Sequence, residues 1–252
     1  MCRTNMQRKI KMHGVIKIGN LKLLPEKAIL IGRTCIISDL HLGFENVVGS
    51  YGLTFPRVQI IETINSINKI IEKYKINRLI VAGDLKHEFG KNLPLEWDDV
   101  ETFLNKFLDL KMEFVRGNHD NFLSIILAKY GFELKESIKV DKWTVVHGHK
   151  ECDAKRIIMG HEHPAIKVRI NKAIYAYPCF LQVELAEKKI IVLPAFSPLM
   201  AGVDVLSTEG FLSPILKGVS PKDIKVYALS GEEVIFLGKI ENIKNALLDL
   251  SS

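Results

Sequence analysis

The sequence has few cysteines, no long apolar stretch and none of the motifs typical of common nucleotide-binding or serine-hydrolase sites. Its four cysteines lie far apart and form no C-x-x-C pair, which argues against a zinc ribbon or a dense disulfide framework. The longest apolar region, 190–206, is interrupted by Pro194, Pro198 and Asp204 and is shorter than a membrane-spanning helix. No G-x-x-x-x-G-K-[ST], G-x-G-x-x-G or G-x-S-x-G is present. We therefore expect a cytoplasmic protein with reduced thiols and no membrane partner.

The charge is moderately basic, with 35 Lys and Arg against 29 Asp and Glu, a formal net charge of +6. Such an excess favours acidic partners, including DNA or RNA. The basic residues are nevertheless scattered and interleaved with acidic ones, as on an ordinary solvated surface. The charge is thus compatible with a nucleic-acid substrate but does not establish one.

The length of 252 residues, 47% of them hydrophobic, suffices for one domain with a substantial core. Residues 1–13 are polar and basic and are predicted to form a flexible N-terminal tail, with 14–252 as a single domain. The first half alternates strand and helix patterns, which predicts an α/β sheet covered by helices. The predicted strands are 28–37, 78–82, 112–115, 143–146 and 157–159, and the helices are 57–74, 97–110 and 121–130.

After Pro164 the pattern becomes rich in strands. Short apolar segments at tight spacing predict strands over 166–170, 174–177, 181–185 and 190–193. A hairpin is predicted from 224–229 and 233–237, followed by a helix over 240–250. We expect a second sheet that packs against the first, with helices outside both.

Five polar motifs follow the predicted strands of the first half. They are Ser-Asp39-Leu-His41, Gly-Asp84, Gly-Asn118-His119-Asp120, His147-Gly-His149 and Gly-His161-Glu-His163. Loops at the carboxyl ends of strands commonly converge on one ligand site in α/β proteins. We therefore expect these side chains to face a single cleft.

The residue types in these motifs favour a metal centre. Carboxylates, imidazoles and an amide oxygen without thiolates suit Mn, Fe, Zn or Ni. Any one motif has an ordinary alternative, because Gly-Asp is common in turns and Asn118 or Asp120 could cap a helix. The prediction depends on all five motifs occurring in order at strand ends.

The ordered set resembles the calcineurin-like metallophosphoesterases, over residues 38–163. The resemblance implies an αββα sandwich in which two mixed β-sheets lie between outer helices. Val-Arg-Gly-Asn-His-Asp and the segment Leu-Pro-Ala-Phe-Ser-Pro at 193–198 are similar to the small archaeal and bacterial ICC-like branch of this superfamily.

The resemblance also implies roles for individual residues. Two divalent ions, manganese first and Fe, Zn or Ni as alternatives, would activate water and hold a phosphate for in-line attack. Asp84 would bridge the ions, and His119 would contact the scissile phosphate as the catalytic side chain. The remaining ligands would be Asp39, His41 and His163 on the first ion, and Asn118, His147 and His161 on the second.

Other polar residues have weaker signals. The segment Gly-Asp-Leu-Lys-His87 is similar to one in repair nucleases of the superfamily, which suggests that His87 binds substrate. Arg116 is a second candidate for binding phosphate, with a structural ion pair as its alternative. Asp120 is expected to cap its helix or to orient His119, and His149 to be a supporting or surface residue.

The metal ligands do not identify the phosphate ester. The basic charge and the segments similar to repair nucleases favour a phosphodiester, with nucleic acid as a candidate. A phosphomonoester or nucleotide remains the alternative. A non-catalytic scaffold of the same fold is a remote third hypothesis, because every expected ligand and His119 are present.

Overall fold

The computed structural model of the protein describes residues 14–45, 56–90, 93–185, 187–207 and 210–249. The predicted tail, 1–13, lies outside the described residues, and the single-domain division of 14–252 stays a prediction. No helix in the described ranges is long and apolar enough to cross a membrane. Cys35 and Cys179 are buried free thiols, and Cys152 is a partly exposed one.

The first sheet has seven strands in the order of the chain. Strands β1 to β4 form an antiparallel meander, and β4 to β7 run parallel to one another. The parallel strands bring the carboxyl ends of β4, β5 and β6 to one edge. The strands are β1 Ile16–Ile18, β2 Leu21–Leu24, β3 Ala28–Ile31, β4 Thr34–Ile37, β5 Arg78–Ala82, β6 Lys111–Val115 and β7 Leu134–Lys135.

The second sheet is mixed and contains nine strands. Along its main path the order is β14-β11-β12-β13-β10-β9-β8. Outside this path, β15 pairs with both β12 and β16. Strand β10 is parallel to both β9 and β13. The strands are β8 Ile138–Val140, β9 Trp143–Val145, β10 Arg156–Met159, β11 Pro164–Ile170, β12 Ala173–Glu184, β13 Lys189–Val192, β14 Val203–Asp204, β15 Ile224–Ser230 and β16 Glu233–Lys239.

Alternating side chains build three apolar layers. In β4, Ile36 packs between the two sheets, whereas Cys35 and Ile37 pack outward against helices. The outward face of the first sheet is covered by α1 (Val58–Tyr74), α2 (Pro94–Lys106) and α3 (Leu123–Lys129). Helix α4 (Ile240–Asp249) contributes Ile240 to the outer core of the second sheet. The predicted αββα sandwich of two mixed sheets is confirmed.

Several predicted boundaries were wrong. The predicted strand 28–37 is two strands, because Gly32 adopts a positive φ of 59° and turns the chain between them. The predicted helix 97–110 begins earlier, with Pro94 in its first turn, and ends at Lys106. The separately predicted strands 174–177 and 181–185 form the single strand β12. Strands β1, β2, β7, β8 and β14 were not predicted.

Candidate metal centre

The five polar motifs follow strands, as predicted. Asp39 and His41 follow β4, Asp84 follows β5, and Asn118 and His119 follow β6. In the second sheet, His147 follows β9, and His161 and His163 follow β10. The two sheets therefore contribute to the same site from opposite sides of the inner core.

The side chains of Asp39, His41 and His163 form a first cluster of possible metal ligands. His163 Nε2 lies 3.2 Å from His41 Nε2 and 3.2 Å from Asp39 Oδ1. Asp39 is fully buried and His41 nearly so, whereas His163 is partly exposed. This cluster thus combines one carboxylate with two imidazoles.

The second cluster joins Asp84, His147 and His161. His147 Nε2 lies 3.2 Å from Asp84 Oδ2, 3.2 Å from His161 Nδ1 and 3.0 Å from the side-chain oxygen of Asn118. The other ring nitrogen of His147 lies 3.0 Å from the carbonyl oxygen of Ala82. That carbonyl accepts an N–H from Nδ1, which leaves Nε2 free to act as a ligand.

Asp84 lies between the clusters. Its Oδ2 is 3.2 Å from His147 Nε2 in the second cluster and 3.9 Å from His41 Nε2 in the first. Its Oδ1 accepts the backbone N–H of His119 at 2.9 Å. One carboxylate thus faces both groups of donors, as a bridging ligand would.

The donors have the spacing of ligands around cations. Ligand atoms at about 2.1 Å from one ion are separated from one another by roughly 3.0–3.4 Å. The donor contacts in each cluster fall within or close to that spacing, at 3.0 to 3.2 Å. The oxygen and imidazole donors suit borderline or hard divalent ions, and the residues therefore fit a divalent metal centre.

Backbone geometry brings these donors together at a conformational cost. Five of the eleven described non-glycine residues with positive φ are predicted ligands, namely Asp39, His41, Asp84, His161 and His163. Such left-handed conformations are uncommon outside glycine and concentrate at functional sites. The backbone N–H groups of Asp39 and His41 compensate by donating to the carbonyls of Gly83 and Asp84, at 3.1 and 3.0 Å.

Two glycines let the ligand loops approach one another. A Cβ on Gly117 would lie 2.0 Å from Asp84 Oδ1, and a Cβ on Gly160 would lie 2.3 Å from Asp39 Oδ2. Neither position leaves space for a side chain. The loop after β6 therefore packs directly on the central carboxylate, and the loop after β10 packs on Asp39.

The charges of the histidines and the buried carboxylates in these clusters affect one another's pKa values. Burial alone would lower the pKa of His147, but the hydrogen bond and charge of Asp84 raise it to about 9. For Asp84, burial acts to raise the pKa and the contact with His147 outweighs it, so the net pKa is lowered. Burial lowers the pKa of His41 to about 3 and that of His161 to about 4. Because imidazole binds metals in its neutral form, cation binding would release protons from this cluster.

His119 is held beside Asp84 but is more exposed than the buried ligands. Its Nδ1 lies 2.5 Å from the carbonyl oxygen of His87, so this nitrogen carries the proton and donates it. Its Nε2 lies 4.0 Å from Asp84 Oδ2, and its side chain is 28% exposed. His119 is therefore oriented by a backbone carbonyl, with Nε2 turned towards the centre.

His87 lies at the same centre. Its ring stacks on His119 with the centroids 5.5 Å apart, and its Nδ1 is 3.4 Å from His41 Nδ1. Burial lowers the pKa of His87 to about 4. The ring of Phe44 contacts His87 edge-on at 4.8 Å. The structure thus brings His87 next to the predicted catalytic histidine.

Arg116 lies beside the second cluster. It lines a small cavity of about 190 Å³ with His147 and His149, and its Nε donates to Glu136 at 3.1 Å. Its position is thus compatible with both predictions for Arg116, a contact with phosphate and a structural ion pair. The His149 ring centroid lies 5.4 Å from that of His147, and its buried Nδ1 has no described partner.

Asp120 has a role that the sequence analysis did not predict. Its buried carboxylate accepts the backbone N–H groups of Gly117 at 2.8 Å, Asp84 at 2.9 Å and Leu85 at 3.0 Å. The expectation that Asp120 caps α3 was wrong, because its side chain makes no capping hydrogen bond to that helix. The expectation that it orients His119 stays a prediction. Asp120 joins the loops after β5 and β6, and the Gly-Asn-His-Asp motif gave the only signal for this role.

Gln59 and Ser197 were also missed. The Gln59 amide nitrogen lies 3.1 and 2.8 Å from the carbonyl oxygens of Leu40 and His41, and 2.9 Å from Ser197 Oγ, so its two N–H groups are shared among these three acceptors. The backbone N–H of Ser197 donates to the carbonyl of Asp39 at 3.1 Å. These contacts fix the backbone of the first cluster. A single buried Gln in a helix carries no recognisable sequence signal.

Comparison with known proteins supports the family predicted from the motifs. The family model described as calcineurin-like phosphoesterase matches residues 32–150. This range contains Asp39, His41, Asp84, Asn118 and His147, and it confirms the calcineurin-like metallophosphoesterase superfamily for this part of the chain. The family match supports a hydrolase. No curated protein sequence matches the chain.

One solved structure shows the same fold, and a second is similar at a lower score. The crystal structure of Pseudomonas putida nuclease MPE aligns with a TM-score of 0.63 and 21% identity, over 88% of this chain and 98% of that one. The Escherichia coli phosphoesterase Yfce aligns with a TM-score of 0.42 and 15% identity, over 80% of this chain and 96% of that one. Only the first similarity is close enough to carry an argument, and that argument concerns the fold alone.

Proposed function

We propose that the protein is a dinuclear metal-dependent phosphoesterase that favours phosphodiesters. The observation that carries this proposal is the position of Asp84, whose one carboxylate faces two separate groups of imidazole and oxygen donors. Asp39, His41 and His163 would hold the first ion, and Asn118, His147 and His161 the second. We favour manganese, with Fe, Zn or Ni as alternatives.

When bound, two such ions supply Lewis acidity that acidifies water and offsets charge on the phosphoryl oxygens. The protein side chains then position the substrate and transfer a proton. With both ring nitrogens protonated, His119 would donate Nε2–H to a phosphoryl oxygen or give that proton to the leaving oxygen, while its Nδ1–H donates to the His87 carbonyl. His87 itself lies where it can contact the substrate, and Arg116 can contact phosphate.

An exposed aromatic ring beside His119 favours a substrate whose phosphate is esterified to two organic groups. Phe89 is 56% exposed, and its ring lies edge-on to His119 with the centroids 6.0 Å apart. Such a ring offers a surface on which a nucleobase or another planar group can stack. Together with the positive net charge, it favours a phosphodiester, with DNA or RNA as candidate substrates.

The nuclease described for Pseudomonas putida is compatible with this preference, but the identity of 21% makes it an analogy of fold. A phosphomonoester or nucleotide is the alternative substrate, because the ligand set would bind either. A non-catalytic scaffold is a weaker alternative, since all expected ligands and His119 are present. The proposed compartment is the cytoplasm.

The test compares hydrolysis of bis-p-nitrophenyl phosphate and p-nitrophenyl phosphate, with manganese added and then chelated. We expect faster turnover of the diester and loss of turnover on chelation. In His119→Ala the rate should fall by at least about 10²-fold. Lys139→Ala changes an exposed residue remote from the motifs and serves as the control. Monoester turnover alone would favour a phosphatase, and a chain that binds no metal would refute the dinuclear proposal.

A further inference from the structure

A cavity of about 300 Å³ lies beside helix α1, apart from the predicted metal ligands. Its wall includes Pro25, Lys27, Thr63, Ser66, Phe196 and Pro198, and none of the predicted ligands lines it. The volume is at the lower end of the range of small-molecule sites, which begins at roughly 300 Å³.

Lys27 brings a charge into this cavity that the described part of the chain does not balance. Its ammonium donates to the carbonyl of Ser197 at 3.1 Å, and it forms no ion pair with a described residue. An ammonium has three N–H donors, so two remain for another partner. Burial lowers the pKa of Lys27, although the charge of Glu62 opposes that shift. A partly buried cation without a counter-ion is costly, and a bound anion would remove that cost.

The acidic residues around the cavity do not supply this counter-ion. Both carboxylate oxygens of Glu26 are engaged, one by Lys73 Nζ at 2.8 Å and the other by the Tyr74 hydroxyl at 2.9 Å. Glu62 and Glu232 are exposed, and within the described ranges neither forms an ion pair with Lys27. The cavity therefore keeps a cation available to a ligand.

The remaining wall has both polar and apolar parts. The Thr63 hydroxyl is buried, with the residue only 1% exposed, and has no hydrogen-bond partner among the described residues. An unpaired buried hydroxyl is destabilising, and the cost is removed when a ligand supplies an acceptor. Opposite these polar groups, Phe196 and the two prolines, Pro25 and Pro198, provide an apolar surface.

The segment 196–198 makes this a site distinct from the metal centre. Phe196 and Pro198 line the cavity, while the backbone N–H groups of Phe196 and Ser197 donate to the carbonyls of Ser38 and Asp39, at 2.8 and 3.1 Å. A ligand in the cavity would thus contact the segment that supports the first cluster without touching its donors.

We propose that this cavity binds a small organic anion. Its carboxylate or phosphate group would accept hydrogen bonds from the Lys27 ammonium and the Thr63 hydroxyl, and its apolar body would pack on Phe196, Pro25 and Pro198. This site is additional to the proposed phosphoesterase centre and does not depend on the reaction there.

Calorimetric titration of the metal-loaded full-length protein tests the proposal with three probes of similar size. Benzoate and phenylphosphonate represent the two anionic groups, and benzylamine carries the opposite charge. We expect at least one anion to bind and benzylamine not to bind. The anion that binds more tightly distinguishes a carboxylate from a phosphate ligand.

Variants assign the binding to the cavity. Lys27→Met should weaken anion binding about tenfold or more, and Thr63→Val, which keeps the side-chain shape, should weaken it less. Lys139→Met, an exposed lysine elsewhere, should bind as the wild type does. If Lys27→Met does not fold, Thr63→Val carries the test. No anion binding, stronger binding of benzylamine, or anion affinity unchanged in the cavity variants would overturn the proposal.

Discussion

The centre has two regions of different construction, a buried floor of predicted ligands and a more exposed rim around His119, His87 and Phe89. Asp39, His41, Asp84 and His147 are each at most 2% exposed, whereas Phe89 is 56% exposed. Floor residues are fixed by strand ends, positive-φ backbone and hydrogen bonds between loops. Rim side chains are held by fewer contacts. This difference suggests that the floor determines the chemistry and the rim selects the substrate.

The largest effect should come from breaking the floor at its shared residue. Asp84→Asn keeps the shape but removes the charge that faces both clusters, so we expect loss of metal and a rate reduced by more than about 10²-fold. Metal content per chain and hydrolysis of the diester measure the two effects. Asp141→Asn, at an exposed aspartate, is the matched control. Full metal content with an unchanged rate would show that Asp84 does not bridge.

Crowding the floor should have a nearly comparable effect without removing any ligand. In Gly117→Ala the new Cβ would lie 2.0 Å from Asp84 Oδ1, so the carboxylate or the loop must move. We expect reduced metal content and a destabilisation of about 1–3 kcal/mol, as for other overpacked sites. Thermal unfolding and metal analysis would measure both.

Gly210→Ala is the control for this substitution, because a Cβ at that position meets nothing within 4 Å. If Gly117→Ala bound metal as the wild type does, the close packing of the two loops would not be what positions Asp84. Equal losses in both glycine variants would likewise point to a general effect of the substitution on folding.

The floor could be predicted from sequence because its predicted ligands follow the ends of five strands. Buried strands such as 78–82 are recognisable as apolar runs, and the polar motif after each run marks its carboxyl end. The residues that support the ligands could not be predicted in this way. Gln59 and Ser197 are 138 positions apart in the chain, and their contact depends on the packing of α1 against the loop after β13.

The fold was predictable to a similar extent, with errors that have local causes. The predicted break in β12 fell at Pro178, which cannot donate a backbone hydrogen bond. In the structure, β12 pairs with β11 up to Pro178 and with β15 from Cys179, so the proline lies where the strand changes partners. A missing N–H is tolerated there. The sequence pattern contains the proline but not the change of partner.

A smaller effect is expected at the stacked histidine of the rim. His87→Ala removes the ring beside His119 but leaves the backbone carbonyl that orients it. If His87 contacts the substrate, KM for bis-p-nitrophenyl phosphate should rise several-fold, by about 1 kcal/mol of binding, with metal content unchanged. Loss of metal in this variant would instead place His87 in the floor.

The smallest effect should come from the outermost rim residue and should depend on the substrate. Phe89→Ala removes an exposed ring whose proposed role is stacking on a planar group, a contact of about 1–3 kcal/mol for a nucleobase. We expect KM to rise for a dinucleotide, or for bis-p-nitrophenyl phosphate, but not for a diester with small alkyl groups. Phe236→Ala, which truncates a phenylalanine that is 51% exposed on β16, is the control. An equal change for aromatic and alkyl diesters would mean that Phe89 shapes the loop around His119 rather than selecting the substrate. In that case the exposed rim would not be the part of the centre that determines specificity.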